Sequence, residues 1–466
     1  MAVRKLDEVL EGLSHVTPLE GEQVRWSLES RMAHYGVPAV SIAVIDEGRL
    51  AWSVGVGHVD VQHSATVDEH TLFQAASMSK PVAALALLRE VDEGRFDLDA
   101  PINDYLSSWS IPENDLTRRR PVTLRQIMSH TAGLTVWGFG GYARGAALPT
   151  LPQVLSGSPP ANSPAVFVDT LPGTIQRYSG GGTTVAQLAL QETREQPYEQ
   201  ILWNRVLEPL GMTRSTFAQP LADSLAGNAA AGHDWDGALV PGRWHTFPEQ
   251  AAAGLWTTSA DYARFLLGLQ AAHLGRPGAL IGAATARAMA TIPEGATDFA
   301  LGPKIIGHGR ARRFQHGGSN VGYKCGSCAF VDGSRGAVVL TNADMGAGLA
   351  EEIFVAIARV YEWPDYLRAP RRRRAMSAAQ VGAYVGIYEL GEGAPFPAID
   401  ISADGGELRY RLGTLPGRAV FSETATRFFS PESLFDTVFD LDHTGRATGL
   451  SVMDGDRVVL RGTRSC

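Results

Sequence analysis

Apolar residues along this chain switch between two periods. The stretch VPAVSIAVIDEGRLAWSVGVGHVD, ending at Asp60, alternates apolar and polar positions on either side of an acidic, glycine-containing turn, which predicts a β-hairpin. From 77 to about 93 the chain runs through SKPVAALALLREVDEG (79–94), which places apolar residues at helical spacing, with Pro81 in the first turn and Gly94 as a stop. The period of a helix returns in TTVAQLALQETREQ, YEQILWNRVLEPLGM and SADYARFLLGLQAAH, where Ser259 and Asp261 suit a helix start. ARRFQHGG, GYKCGSCAFVDG and RGAVVLTNAD predict three short strands, followed by the helix LAEEIFVAIARVYEW.

Two regions break these rhythms. Residues 121–175 combine a short helix, TLRQIMSH, with a long glycine- and proline-rich segment, TAGLTVWGFGGYARGAALPTLPQ, of the kind that forms site walls. Near 364–380 the run PDYLRAPRRRRAMSAAQ predicts a solvated linker. Beyond it, alternating segments separated by DGG, HTG and DGD turns predict a small antiparallel sheet or barrel. A length of 466 residues allows two or three domains. The boundaries expected are 1–368, a linker at 369–379, and 380–466.

Composition narrows the function. The net charge of −8 and the absence of a long basic stretch argue against nucleic acid as a partner. No uninterrupted apolar run reaches the ~18 residues of a membrane span. The N-terminal MAVRKLDEVLEGLSHVTPLEGE reads as an amphipathic helix, so a cytoplasmic protein is expected. Three cysteines, Cys325, Cys328 and Cys466, suit a reducing compartment. The C-x-x-C of Cys325 and Cys328 falls in a strand without a second ligand pair, so no metal and no cofactor is expected.

The chain has only four lysines, Lys5, Lys80, Lys304 and Lys324, and one of them stands at the mouth of an apolar helix. Three residues apart on a helix, Ser77 and Lys80 lie side by side. Burial and the positive end of the helix dipole disfavour the ammonium, and a neutral lysine can take the proton of a serine hydroxyl. Tyr178, ahead of three glycines in QRYSGGGTTVAQL, can pass a proton between serine and a leaving group. His316 ends a strand-like run before Gly317 and Gly318; it is expected to hydrogen-bond either the Tyr178 hydroxyl or a substrate. The glycine edge offers backbone donors, and the N–H groups of Ser319 and Ser77 suit an oxyanion hole.

Ser77-Met78-Ser79-Lys80, Tyr178-Ser179-Gly180 and His316-Gly317-Gly318, in that order and spacing, resemble the three motifs of the serine β-lactamase and penicillin-binding-protein superfamily, in particular its class C-like esterase and D-aminopeptidase branch. SHTAGL at 129–134, PLGM at 209–212 and PEQAAAGLWTTSADYARF at 248–265 add to the resemblance, which runs from about residue 20 to 365. It implies an α/β fold: an antiparallel sheet flanked by helices, an inserted all-helical lobe, and the active site between them. The tail resembles the lipocalin-like antiparallel β-barrel appended to some members. Two positions depart from the pattern. Gly180 stands where many relatives carry an asparagine whose amide meets a substrate carbonyl, and His316 stands where classical β-lactamases carry a lysine.

The expectation is therefore a serine hydrolase acting through an acyl-enzyme on a small ester, amide or peptide. Ser77, Lys80, Tyr178 and His316 are its catalytic residues; Ser319, Gly318 and Gly180 line the oxyanion and substrate side. A peptide acyltransferase or cyclase ranks second and a β-lactamase third. A non-catalytic binding or sensor protein is the alternative from another class.

Overall fold

The computed structural model describes residues 2–62, 65–391, 396–413 and 417–465. By the density of its internal packing the chain divides into two compact units. One is built on residues 32–350; the other combines 3–31 with 351–466.

The larger unit is organised on a six-stranded antiparallel sheet in the order Arg49–Gly57, Ala39–Asp46, Arg335–Thr341, Tyr323–Phe330, Arg313–Asn320, Lys304–Ile306. The expected hairpin is its start: Glu47 and Gly48 both have positive φ, at 51° and 72°, as a two-residue turn that matches strand twist requires. The three short strands expected after residue 311 are also present, the first two joined by a two-residue turn at Val321 and Gly322. Both C-x-x-C cysteines lie in Tyr323–Phe330, buried and outside any disulfide. The Cys325 thiol donates to the Gln74 carbonyl at 3.2 Å, and burial pushes it up to about 12.

Helix Ser259–His273 lies on this sheet, anchored by Gln270, whose amide donates to the Phe330 and Arg335 carbonyls at 2.8 and 2.9 Å. Its cap is Thr258, whose hydroxyl accepts from Asp261 N–H; Ser259 is instead turned inward to Ser41 at 2.8 Å. Helix Ser79–Asp92 is buried through most of its circumference, which explains why its pattern is apolar almost all round. Helix Gly180–Arg194 and several short helices form the helical lobe. The expected continuous helix after Tyr198 is α-helical only over Tyr198–Leu202 and widens into a π-helical turn at Trp203–Leu207.

In the other unit, eight antiparallel strands from Gly386–Leu390 to Arg457–Arg464 close into a barrel, sealed by pairing of the first with the last. Tyr388, Ile401, Leu408, Phe428 and Phe439 fill its core. Residues 3–31 belong here: Arg31 forms a two-pronged pair with Glu352 at 2.7 and 2.6 Å and reaches Glu432 at 2.8 Å. Within the arginine run, Arg371 is held by Glu423 and Asp436 and lies over the Phe429 ring.

Candidate active site

The turn that carries Ser77 is strained and firmly held. Ala76, immediately before it, has φ of +50°, a conformation unfavourable to a side chain with a Cβ. Hydrogen bonds fix the turn on both sides. Ala75 N–H donates to Leu255 O at 2.8 Å, Ser79 Oγ to Ala76 O at 2.6 Å, and the buried Tyr262 hydroxyl to Met78 O at 3.0 Å. Such over-determination of a rare backbone state is typical of reactive residues.

Lys80 sits one turn on, 5% exposed. Its Nζ lies 3.0 Å from Ser77 Oγ and donates to the Ala252 carbonyl at 2.8 Å. Behind it is a cavity of about 20 Å³ lined by side chains including Ala83, Ala84, Leu87 and Ile127. Burial alone lowers its pKa to about 7; among the described residues no carboxylate counters the desolvation.

Tyr178 arrives from the start of Gly180–Arg194. Its ring lies 4.9 Å from Lys80 Nζ, and its hydroxyl lies near enough to the Ser77 side chain for that group to favour the phenolate slightly. Burial raises its pKa above the ordinary phenol value, so it is a neutral proton donor at physiological pH. The ring is set by His130, 4.2 Å away and fully packed, whose Nδ1 accepts from Ser179 N–H at 3.1 Å. His130 has φ of +58°, and its own carbonyl accepts from Arg177 N–H, so the SHTAGL turn grips the tyrosine segment from below.

His316 is buried on strand Arg313–Asn320. Its Nδ1 is paired with the Gly317 carbonyl at 2.7 Å, and its Nε2 is buried without a hydrogen-bond partner among the described residues. Its ring centroid is 6.4 Å from that of Tyr178, and no hydrogen bond joins the two. Burial, aided by the Lys80 charge, lowers it to about 3, so it is neutral and carries no charge to offer an anion.

Gly318 is a packing necessity: a Cβ there would lie 2.3 Å from the Ala75 carbonyl. This close approach brings the strand edge against the serine turn. Pairing with Lys304–Ile306 ends at Gln315, leaving residues 316–320 as an open edge among the described strands. Because Asn320 and Tyr323 close a two-residue turn, ladder alternation directs the Ser319 N–H to that edge. Gly180 differs from its expected placement. It is buried, and its N–H is taken by Trp137 O at 3.0 Å, so it lines a loop rather than open space.

Ser77, Lys80, Tyr178 and His316 are thus brought together, with Gly318 and Ser319 alongside. Sequence reasoning missed the Ala252 carbonyl, His130 and Gln176. Gln176 Oε1 accepts from the N–H groups of Thr297, Asp298 and Phe299 and so pins Phe299 beside Tyr178. His130 had a signal, the motif SHTAGL; a backbone carbonyl and a distant amide clamp have none.

A family model described as Beta-lactamase matches residues 26–362. Among curated proteins, similarity extends to Protein flp of Staphylococcus aureus (strain NCTC 8325 / PS 47), 24% identical over 203 residues, which is 42% of this chain and 38% of that protein. It extends also to the human mitochondrial serine beta-lactamase-like protein LACTB, 31% identical over 100 residues, 21% of this chain and 18% of that one. The chain therefore spans well under half the length of these relatives. Among solved structures, the octameric penicillin-binding protein homologue from Pyrococcus abyssi superposes with a TM-score of 0.63 at 21% identity, covering 93% of this chain and 99% of that one. A beta-lactamase/D-alanine carboxypeptidase from Yersinia pestis, complexed with citrate, gives 0.55 at 16% identity, covering 71% and 95%. At such identities the superpositions speak for the fold alone.

Proposed function

The chain belongs to the beta-lactamase family, whose members are typically serine hydrolases, and from that premise we propose that it hydrolyses a small ester, amide or peptide through an acyl-enzyme on Ser77. The observation that carries this reading is the amine of Lys80, 3.0 Å from Ser77 Oγ and brought to about 7 by burial without a counter-ion. A base poised near the working pH is what serine activation demands.

As Ser77 Oγ bonds to the substrate carbonyl carbon, neutral Lys80 takes its proton while the Ala252 carbonyl steadies the new ammonium. The oxyanion faces the N–H groups of Ser77 and Ser319. Lys80 returns the proton through the Tyr178 hydroxyl to the departing alkoxide or amine as the C–O or C–N bond breaks. Water then repeats the sequence, releasing the acid and restoring Ser77. His316 presents its unpartnered Nε2 to bound substrate as a neutral group.

That neutrality places β-lactam hydrolysis lower in order, because a penicillin carboxylate would lose the positive partner a lysine supplies. The buried Cys325 and Cys328, outside any disulfide, support a cytoplasmic site of action, and the closed barrel, with a cavity of about 190 Å³, supports a lipocalin-like appendage after a boundary near 369–379. Among the described residues no helix is long and apolar enough to cross a membrane.

The test is intact-protein mass spectrometry after a fluorophosphonate. Wild type gains one adduct and Ser77→Ala none; an unlabelled wild type that also turns over no ester points to a binding or sensor protein instead.

A further inference from the structure

Residues 135–139 run beside the tyrosine motif in a conformation that would not persist unaided. Val136 has φ of +64°, and a β-branched residue in the left-handed region is a genuine outlier. Hydrogen bonds to the start of Gly180–Arg194 hold it there. Gly180 N–H donates to Trp137 O and Gly181 N–H to Val136 O, both at 3.0 Å, while Ser179 Oγ donates to Thr135 O at 2.7 Å. The glycines are what permit this. A Cβ on Gly180 would lie 3.1 Å from Trp137 O and 3.2 Å from the Phe139 ring, and one on Gly181 would lie 2.8 Å from Val166 and 2.9 Å from Thr135 O.

The product of this strain is the position of Trp137. Its side chain is 70% exposed, far from the buried norm for tryptophan, yet its ring centroid is only 5.6 Å from that of Tyr178. Backbone strain that serves to hold an aromatic face open beside a reactive centre is a mark of ligand contact. The surrounding charges are already committed. Lys304 is paired with Asp298 at 2.9 Å, and His316 is neutral.

We propose that Trp137, held over the site by the loop that Gly180 admits, is a specificity-determining residue that selects substrates carrying an uncharged flat or aromatic group. This inference rests on the hydrolase reading above and deepens it.

Three esters separate the possibilities, followed by pH-stat: methyl acetate without a ring, methyl phenylacetate with a ring in the acyl half, and benzyl acetate with a ring in the leaving half. For Trp137→Ala, kcat/KM falls about tenfold for at least one ring-bearing ester, mainly through KM, and less than twofold for methyl acetate. Trp137→Phe restores most of the loss. Gly180→Asn, which crowds the loop, lowers the same ring preference. Equal losses on all three esters for Trp137→Ala, no change on any, or an unaltered preference in Gly180→Asn would each overturn the proposal. Fluorophosphonate labelling of Ser77 in the same preparations separates the two readings. Labelled protein without ring preference defeats only the role of Trp137, whereas unlabelled wild type without turnover defeats the hydrolase reading and the selection with it.

Discussion

Helix Ser79–Asp92 buries one ionisable side chain near each end and surrounds the two in opposite ways. Glu90, with no exposed surface, is ringed by cations. Arg194 grips it with two bonds at 2.9 and 2.7 Å, Arg205 Nε lies at 3.0 Å and Arg95 at 3.7 Å. Lys80, three turns earlier and almost as deep, meets a hydroxyl, a carbonyl and the Tyr178 ring but, among the described residues, no anion. A buried charge with its counter-ions in place is fixed; one denied them is kept near the point of losing its proton. Glu90 therefore reads as architecture and Lys80 as chemistry, and the sequence marks only the second, through its spacing from Ser77.

Breaking each end should have separate consequences. Lys80→Met is expected to lower kcat/KM by about 10²–10⁴ in an ester assay, the range for loss of a general base, without a fall in thermal midpoint. Glu90→Ala is expected to do the reverse. It leaves Arg194 and Arg205 without their buried partner and costs about 3–5 kcal/mol in denaturant unfolding, with kcat/KM of the folded fraction nearly unchanged.

Titration sharpens the contrast. The folded pKa of Lys80, about 7, lies below its ordinary value of 10.5, so the folded state binds fewer protons than the unfolded one between these values. The penalty for burying it is complete below pH 7, shrinks as pH rises, and vanishes above 10.5. The stabilisation gained in Lys80→Met should accordingly be larger at pH 6 than at pH 9. In wild type, kcat/KM should climb on a limb centred near pH 7 as the amine becomes neutral, and that limb should be absent from Lys80→Met.

Glu249 is a third case and the smallest expected effect. It is fully buried, both carboxyl oxygens lack hydrogen-bond partners among the described residues, and burial raises it to about 7 from 4.5. The sign is opposite to that of Lys80. Its penalty is absent below pH 4.5 and complete above 7, so Glu249→Gln should stabilise the protein by roughly 1–3 kcal/mol at pH 8 and by little at pH 4.

Much of this was legible in the residues because it depends on local pattern. Alternation marked the hairpin at Ala39–Asp46 and Arg49–Gly57, the strands around His316 and the barrel; helical spacing placed Lys80 beside Ser77. What escaped depends on contacts between distant segments. The Ala252 carbonyl that holds Lys80, the His130 ring beneath Tyr178 and the Gln176 clamp on residues 297–299 come from parts of the chain with no shared period. The loop at 135–139 was recognisable as irregular and glycine-rich. Its conformation was not, because Val136 resists it and only hydrogen bonds to residues 179–181 impose it. The same reason hid the partnership of residues 3–31 with 351–466, which rests on Arg31 meeting Glu352 and Glu432.

The most direct measurement exploits the scarcity of lysine. With only four in the chain, protein labelled with ¹³C at the lysine Cε gives four resonances, and the one missing from Lys80→Met is Lys80. Followed from pH 5 to 11, that resonance is expected to titrate with a midpoint near 7. A midpoint above 10, in the range of an ordinary solvated lysine, would contradict the account.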